Sequence, residues 1–364
     1  MLERNQHLYK YQYAFLLILS CLCNLFMVSV LEGQAGTGAW TAYLFSLPIG
    51  LALNALAAFL FSRNPGCSLH EINTAAFGSI GGKIVSLIYV LYFFLITCIL
   101  LNYYGLYTVD TVLHQVKLGL FIAPIVFAVV YVARKGIEVI GRAGVILGVV
   151  LLAGCLGSAI TELVSGNLEN LFPLISASPR QLLYATFALS AIQFGELFAI
   201  LTFIPDLVTR KRVVRTTLWS VLIGNGVVVL FAIGSVMVMG QTTYMNFAGF
   251  YRVIRSSDFA GILNSMKILV VAVYFFAAVF RLTVNLRAIC KCLKDIFLLP
   301  ASKHLALPVG ALMIGFSQVI SYSSTIIGQF LFYYYPYLAT VPQLFLPLLT
   351  LIVLEIKRRR VKCS

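Results

Sequence analysis

Uninterrupted apolar runs of about 20 residues constrain this chain more than any other feature. At 1.5 Å per residue, a helix of that length crosses the roughly 30 Å hydrocarbon core of a bilayer. The chain is 61% hydrophobic and only 10% charged, too few charges for the surface of a soluble domain. The runs do not alternate apolar and polar residues as barrel strands do. We therefore predict an all-α integral membrane protein.

Ten runs are predicted to span the membrane, as one transmembrane domain covering residues 1–364. The first is interpreted as an uncleaved helix, because its apolar stretch is too long for a secretory signal. The predicted spans are Tyr13–Leu31, Trp40–Phe61, Ile84–Val109, Leu118–Val132, Val139–Ile160, Gln181–Ile204, Thr217–Met239, Ile262–Leu282, Leu305–Ser323 and Tyr335–Ile356.

The net charge of +14 predicts orientation rather than a nucleic-acid partner. If the N-terminus is placed inside and the loops alternate, about four in five of the lysines and arginines fall on the inner side, as the positive-inside rule requires. We expect both termini in the cytoplasm and the basic excess against anionic lipid head groups.

Ten spans favour a 5+5 inverted-repeat permease fold (LeuT/APC-like), with halves at roughly 1–165 and 176–364. Such folds bind ligands near the midplane, where the first helix of each half is broken. The sixth span carries Gly195 and Glu196 at its centre, a helix-weakening glycine beside the only carboxylate near the middle of a predicted span. The first span has Ser20, Cys21, Cys23 and Asn24 at its middle but no glycine or proline.

A carboxylate at mid-membrane depth is costly, so Glu196 is either functional or paired. It could couple protons, contact a ligand ammonium group, or form an internal structural pair. Other mid-depth polar groups could complete a pocket, although each alone is more often an interhelical hydrogen bond than a ligand contact. Arg281 is interpreted as snorkelling from the cytoplasmic end of its span. The predicted ligand-binding residues are Cys21, Asn24, Thr97, Phe194, Gly195, Glu196 and Tyr274.

Two loops carry further predictions. Arg281–Lys303 is predicted as a basic amphipathic extension of the eighth helix on the inner side, whose lysines and arginines snorkel to the interface. Gly240–Gly261 is predicted as an interfacial helix or a lid outside. No phosphate-binding glycine-rich loop or complete nucleophile elbow is present, and the four histidines are scattered in loops. We predict no enzyme, no cofactor and no metal site.

Several stretches together resemble the B-subunit family of GerA-type spore germinant receptors, a branch of the amino acid–polyamine–organocation permeases. The loop from Ala133 to Arg142 is similar to the family signature before its fifth helix. Phe194-Gly195-Glu196, followed by Pro205 and Arg210-Lys211-Arg212, resembles its sixth helix and exit. Ala35 to Trp40 resembles the entry into its second helix, and the likeness in span order covers essentially the whole chain.

The resemblance implies a permease fold with broken first and sixth helices in the inner membrane of a bacterial spore. It further implies a larger A-type membrane subunit and a C-type lipoprotein subunit as partners, and a small germinant such as an amino acid as ligand. Two alternatives stay open: a proton-coupled amino acid or polyamine transporter acting through Glu196, and a structural scaffold with a vestigial pocket.

Overall fold

The structure is a computed structural model that describes residues 7–25, 39–111, 118–172, 178–240, 263–320 and 324–357. Within these ranges the side chains of residues 107, 110, 111, 239, 263–274, 324 and 325 are not described. The described residues are almost entirely helical, apart from one isolated bridge between Leu8 and Leu207. The Gly240–Gly261 segment, predicted as a lid, lies outside these ranges beyond its first residue.

Eleven helices carry the fold in the described part of the chain, and eight of the elements there are long and apolar enough to cross a membrane. The predicted all-α membrane fold is therefore confirmed. The helices are α1 Lys10–Cys23, α2 Ala39–Arg63, α3 Leu69–Thr111, α4 Leu118–Lys135, α5 Ile137–Ser165, α6 Pro179–Leu189, α7 Val213–Met239, α8 Leu263–Phe297, α9 Ala306–Ile320, α10 Ser324–Tyr333 and α11 Tyr335–Ile356.

Two predicted spans differ from the observed helices near their ends. The first span does not continue as one described helix, because α1 ends at Cys23 and Asn24 forms a turn. Residues 26–31 of that predicted span lie outside the described ranges. The predicted third span, Ile84–Val109, lies within α3. This element consists of two helical segments joined at Gly78, where φ of 80° and ψ of 179° interrupt the helical geometry. That backbone conformation favours glycine.

The eighth span begins where the sequence predicts but ends later. It was expected to end at Leu282, but α8 continues to Phe297. Arg281 is 3% exposed, and Leu286 and Ile289 beyond it are buried. The predicted helical extension beyond Leu282 is present, but this part of Arg281–Lys303 is buried in the helix bundle and does not lie at the membrane surface.

The helices pack as two groups. In one group α2 packs on α6 and α7, and α1 packs on α7; in the other, α8 and α9 pack on α3 and α4. Helices five positions apart, α2 with α7 and α3 with α8, are among the most extensively packed pairs. Such pairing is what two related halves of inverted topology produce. The exact division into halves at 1–165 and 176–364 stays a prediction.

The end of the sixth span is fastened to two other elements. The Leu8 N–H donates to the Asp206 carbonyl at 3.1 Å, and the Val208 N–H donates to the Leu8 carbonyl at 3.1 Å. From α8, the Lys291 ammonium donates to Asp206 Oδ2 at 2.6 Å and to the Thr202 carbonyl at 3.1 Å. We call these contacts the Asp206 clasp, because they join the end of the sixth span to the residues before α1 and to α8.

We predict that Lys291→Met loosens the Asp206 clasp. The neighbouring thiols of Cys290 and Cys292 are buried, at 1% and 2% exposure, and should become accessible as α8 moves away. Maleimide labelling of the purified protein, located by peptide mass spectrometry, should therefore be several-fold faster at these two cysteines.

Arg63→Met is the matched control, because Arg63 and Glu355 form an exposed pair at 3.8 Å. Exposed pairs contribute little to stability, so labelling should stay at the wild-type rate. Equal labelling of wild type and Lys291→Met would show that the clasp does not hold α8.

Candidate functional site

The sixth span is broken at the position that the sequence predicts. The α-helix α6 ends at Leu189, and a π-helical turn follows over Ser190–Phe194. A 3₁₀ turn then covers Gly195–Leu197, before the chain returns to one α-helical turn at Phe198–Leu201. Changes of this kind interrupt the regular hydrogen-bond ladder and are frequent at functional sites.

Side-chain amides from other helices contact the carbonyl groups of the break. Gln343 of α11 donates from Nε2 to the Ala191 carbonyl at 3.0 Å. Asn54 of α2 donates from Nδ2 to the Phe194 carbonyl at 3.1 Å. Both amides are almost completely buried. In a dry interior these bonds offset the cost of irregular backbone.

The end of α1 is hydrogen-bonded to the same break. Asn24, in the turn that ends α1, donates from Nδ2 to the carbonyls of Ile192 and Gln193, at 3.5 and 3.4 Å. In return, Gln193 donates from Nε2 to the Cys21 carbonyl at 3.1 Å and to Asn225 Oδ1 at 2.6 Å. The two interrupted helices therefore meet through reciprocal amide bonds.

A buried ion pair lies at this junction. Arg281 of α8 donates from Nη2 to Glu196 Oε2, and the two side chains are only 3% and 1% exposed. Its other terminal nitrogen, Nη1, donates to Asn24 Oδ1 and to the Ser20 carbonyl, the latter at 2.8 Å. The planar guanidinium fork can bridge several acceptors in this way. One side chain thus joins α8, α1 and the break in the sixth span.

Two side-chain acceptor atoms at the junction are unsatisfied within the described part of the chain. Glu196 Oε1 and Gln193 Oε1 are buried, and neither has a hydrogen-bond partner among the described residues. A buried acceptor without a partner costs free energy. A bound ligand with a donor group would satisfy these atoms, and so would an ordered water.

Tyrosine hydroxyls border the junction on α3 and α11. The hydroxyls of Tyr92 and Tyr335 hydrogen-bond each other at 2.7 Å, and Gln343 Nε2 donates to Tyr92 at 2.6 Å. Tyr104 donates to the Cys23 carbonyl at 3.3 Å. All three rings are buried, so aromatic rings line the junction and their hydroxyl groups form hydrogen bonds there.

Two glycines allow this close packing. A Cβ added at Gly195 would lie 1.8 Å from Gln343 Oε1. A Cβ added at Gly50 of α2 would lie 2.0 Å from the Phe194 ring. A side chain at Gly195 would displace the Gln343 amide, and one at Gly50 would collide with the Phe194 ring.

The structure brings together most of the predicted site residues. Thr97 does not join the hydrogen-bond network at the junction, because its hydroxyl donates to the Phe93 carbonyl of its own helix. The side chain of Tyr274 lies outside the described residues. A role in ligand binding stays a prediction for all seven. The predicted residues that meet at the junction are Cys21, Asn24, Phe194, Gly195 and Glu196.

The snorkelling interpretation of Arg281 is wrong. Its side chain points into the bundle and pairs with Glu196, because α8 extends well past the predicted end of the span. Sequence reasoning also missed polar partners whose only signal is an uncharged polar group in an apolar run. These partners are Asn54, Tyr92, Asn225, Tyr335 and Gln343.

Three solved structures of membrane transporters share this fold. MhsT in complex with L-phenylalanine has a TM-score of 0.71 and 14% identity, covering 97% of this chain and 99% of that chain. Mhp1, a nucleobase-cation-symport-1 family transporter with bromovinylhydantoin bound, has a TM-score of 0.65 and 14% identity, over 91% and 78%. A Na⁺-coupled sialic acid symporter has a TM-score of 0.65 and 15% identity, over 95% and 79%. The fold is therefore that of the LeuT-type permeases.

Sequence comparison defines the family within this class. Residues 7–325 match the family model described as "Spore germination protein", and the chain belongs to this spore germination permease family. Spore germination protein KB of Bacillus subtilis (strain 168) is 29% identical over 201 residues, 54% of each chain. The match therefore spans about half the length of this curated relative. The resemblance to spore germination permeases is confirmed.

We predict that Gly195→Ala destabilises the protein by about 2 kcal/mol, because Gln343 must give up its buried hydrogen bonds. Thermal unfolding in detergent should show a midpoint several degrees lower. Gly154→Ala is the matched control, since a Cβ there meets nothing within 4 Å and alanine favours helix. A Gly195→Ala midpoint equal to that of the control would exclude the tight packing at the break.

The buried ion pair should show strong coupling between its two members. Arg281→Met or Glu196→Gln alone leaves one buried charge without its partner, and each should cost about 3–5 kcal/mol. The double variant removes both charges and should recover most of that loss. Thermal unfolding of the four proteins measures the coupling. Additive effects of the two substitutions would mean that the pair does not form.

Proposed function

We propose that this chain is the ligand-recognising membrane subunit of a spore germinant receptor, and that its ligand is a small zwitterionic nutrient such as an amino acid. The observation that carries this proposal is the buried Glu196–Arg281 pair at the junction of the two interrupted helices. Family membership supports the role in germination. The opposite charges of Glu196 and Arg281 support a zwitterionic ligand.

A zwitterion matches this ion pair in the signs of its two charges. Its carboxylate can accept two parallel hydrogen bonds from a guanidinium such as that of Arg281. Its ammonium can donate to Glu196, whose Oε1 has no partner among the described residues. The ligand would insert between the two side chains, so neither protein charge would be left unpaired, which is the costly outcome in a buried site. A ligand with only one charge would leave either Arg281 or Glu196 without a charged partner.

The positive charge at this site belongs to the protein itself. Arg281 lies among three oxygen acceptors, the Ser20 carbonyl, Asn24 Oδ1 and Glu196 Oε2. Oxygen atoms of these kinds are also the ligands of small hard cations. Since the guanidinium already fills this role, we expect ligand binding to proceed without sodium.

The receptor setting rests on the family resemblance. We propose that the chain lies in the spore inner membrane with both termini in the cytoplasm, and that it works with an A-type membrane subunit and a C-type lipoprotein subunit. Ligand binding would favour one conformation of the junction over another, and the partner subunits would respond to this shift in population.

Proton-coupled transport of an amino acid or polyamine is the second candidate. It is favoured by the LeuT-type fold, which the similar solved structures of transporters share, and by the buried carboxylate of Glu196. A transporter must release Glu196 from Arg281 in every cycle, whereas a sensor needs only a shift between two states. Flux separates the two candidates.

We expect the purified protein to bind one or a few amino acids equally well in sodium and in N-methylglucamine buffer. Thermal-shift screening identifies the ligand, and calorimetry then measures its affinity. The methyl ester and the N-acetyl form of that ligand should each bind at least about tenfold more weakly, since each loses one charge contact. Glu196→Gln should weaken the parent ligand but not its N-acetyl form.

Glu355→Gln is the control, because its side chain is 64% exposed in a surface pair. Equal binding of the ester or the N-acetyl form would overturn the zwitterion proposal. Labelled ligand taken up into proteoliposomes by wild type, and lost in Glu196→Gln, would establish transport instead. Spores lacking the gene that germinate normally with the identified ligand would overturn the germinant role.

A further inference from the structure

A groove between α4 and α9 has no part in the site described above. It has a volume of about 490 Å³ and is open along one side. Phe127 and Tyr131 of α4 line one wall and Leu307 of α9 lines the other, with side chains 76%, 57% and 60% exposed. Both helices are candidate membrane spans, so these apolar side chains face the lipid.

One end of the groove is cationic. Arg134 and Lys135, the last two residues of α4, line it. The Lys135 ammonium lies 4.8 Å from the centre of the Tyr131 ring. Glu138, on the following helix, is taken up by an ion pair with Arg142. Within the described part of the chain, no ion pair to a carboxylate is recorded for Arg134 or Lys135.

The groove has the length of one bilayer leaflet. From Ala123 to Lys135, α4 rises about 18 Å at 1.5 Å per residue, compared with about 15 Å for half of the hydrocarbon core. Its depth depends on Gly310, where an added Cβ would lie 2.4 Å from Val130 Cγ2. The apolar part therefore fits an acyl chain, and the cationic end falls at head-group depth.

We propose that this groove is a binding site for one anionic phospholipid. The acyl chain lies between α4 and α9, and the head-group phosphate contacts Arg134 and Lys135. Charge complementarity selects this occupant, because basic residues at the end of a membrane span attract anionic head groups, and guanidinium binds phosphate oxygens in a bidentate manner. The two adjacent cations favour this occupant over an uncharged transmembrane helix of a partner protein.

The test compares lipids and variants with the full-length protein. Wild type in detergent should retain phosphatidylglycerol in native mass spectrometry, and added phosphatidylglycerol should raise the unfolding temperature more than phosphatidylcholine does. Each basic residue near an anionic lipid surface contributes about a fivefold gain in affinity. Arg134→Gln/Lys135→Gln should therefore bind phosphatidylglycerol about thirtyfold more weakly, with a smaller loss for phosphatidylcholine, because its choline group offsets the charge of its phosphate.

Two further variants test the apolar part of the groove and the effect of removing a cation elsewhere. Ala311→Phe fills the exposed apolar part of the groove and should reduce retention of both lipids, while Arg63→Gln, an exposed cation elsewhere, should change neither. Equal stabilisation by the two lipids, or wild-type affinity in the double variant, would overturn the proposal. A photo-crosslinker at Phe127 that captures a receptor polypeptide in spores, rather than lipid, would assign the groove to a protein interface instead.

Discussion

The contacts of one guanidinium group hold the centre of this molecule together. In a membrane interior each polar group must find its partner within the protein, and Arg281 provides partners for Glu196, Asn24 and the Ser20 carbonyl at once. The irregular backbone of the sixth span is tolerated because amides of Asn24, Asn54 and Gln343 accompany this ion pair. Without these side chains, a break at this depth would leave polar groups unsatisfied.

Local composition was sufficient to predict much of the fold. Apolar run length locates most of the spans, and the Gly195-Glu196 pair identifies the break because glycine and a carboxylate are both unfavourable in the middle of a lipid-exposed helix. The end of α1 at Cys23 was less visible. No glycine or proline marks it, and its partner atoms on Ile192 and Gln193 are far away in the sequence.

Arg281 shows why the full length of the eighth helix and the buried ion pair could not be predicted from the sequence. A positive charge near the end of an apolar run is usually at the membrane surface, so the run appears to end at Leu282. The helix can continue because a glutamate 85 residues earlier in the chain neutralises the charge. Lone amides such as Asn54 and Gln343 pose a similar difficulty. Their spacing does not reveal which distant carbonyl each one reaches.

The continuity of α8 connects the two ends of the fold mechanically. This helix runs unbroken from Leu263 to Phe297 and carries both Arg281 at the junction and Lys291 in the Asp206 clasp. Ten residues of helix between them make a rod of about 15 Å. A rod transmits displacement with little loss, so a movement of Arg281 at the junction would also move Lys291 in the Asp206 clasp. A change at the junction and a change at the clasp are therefore coupled through α8.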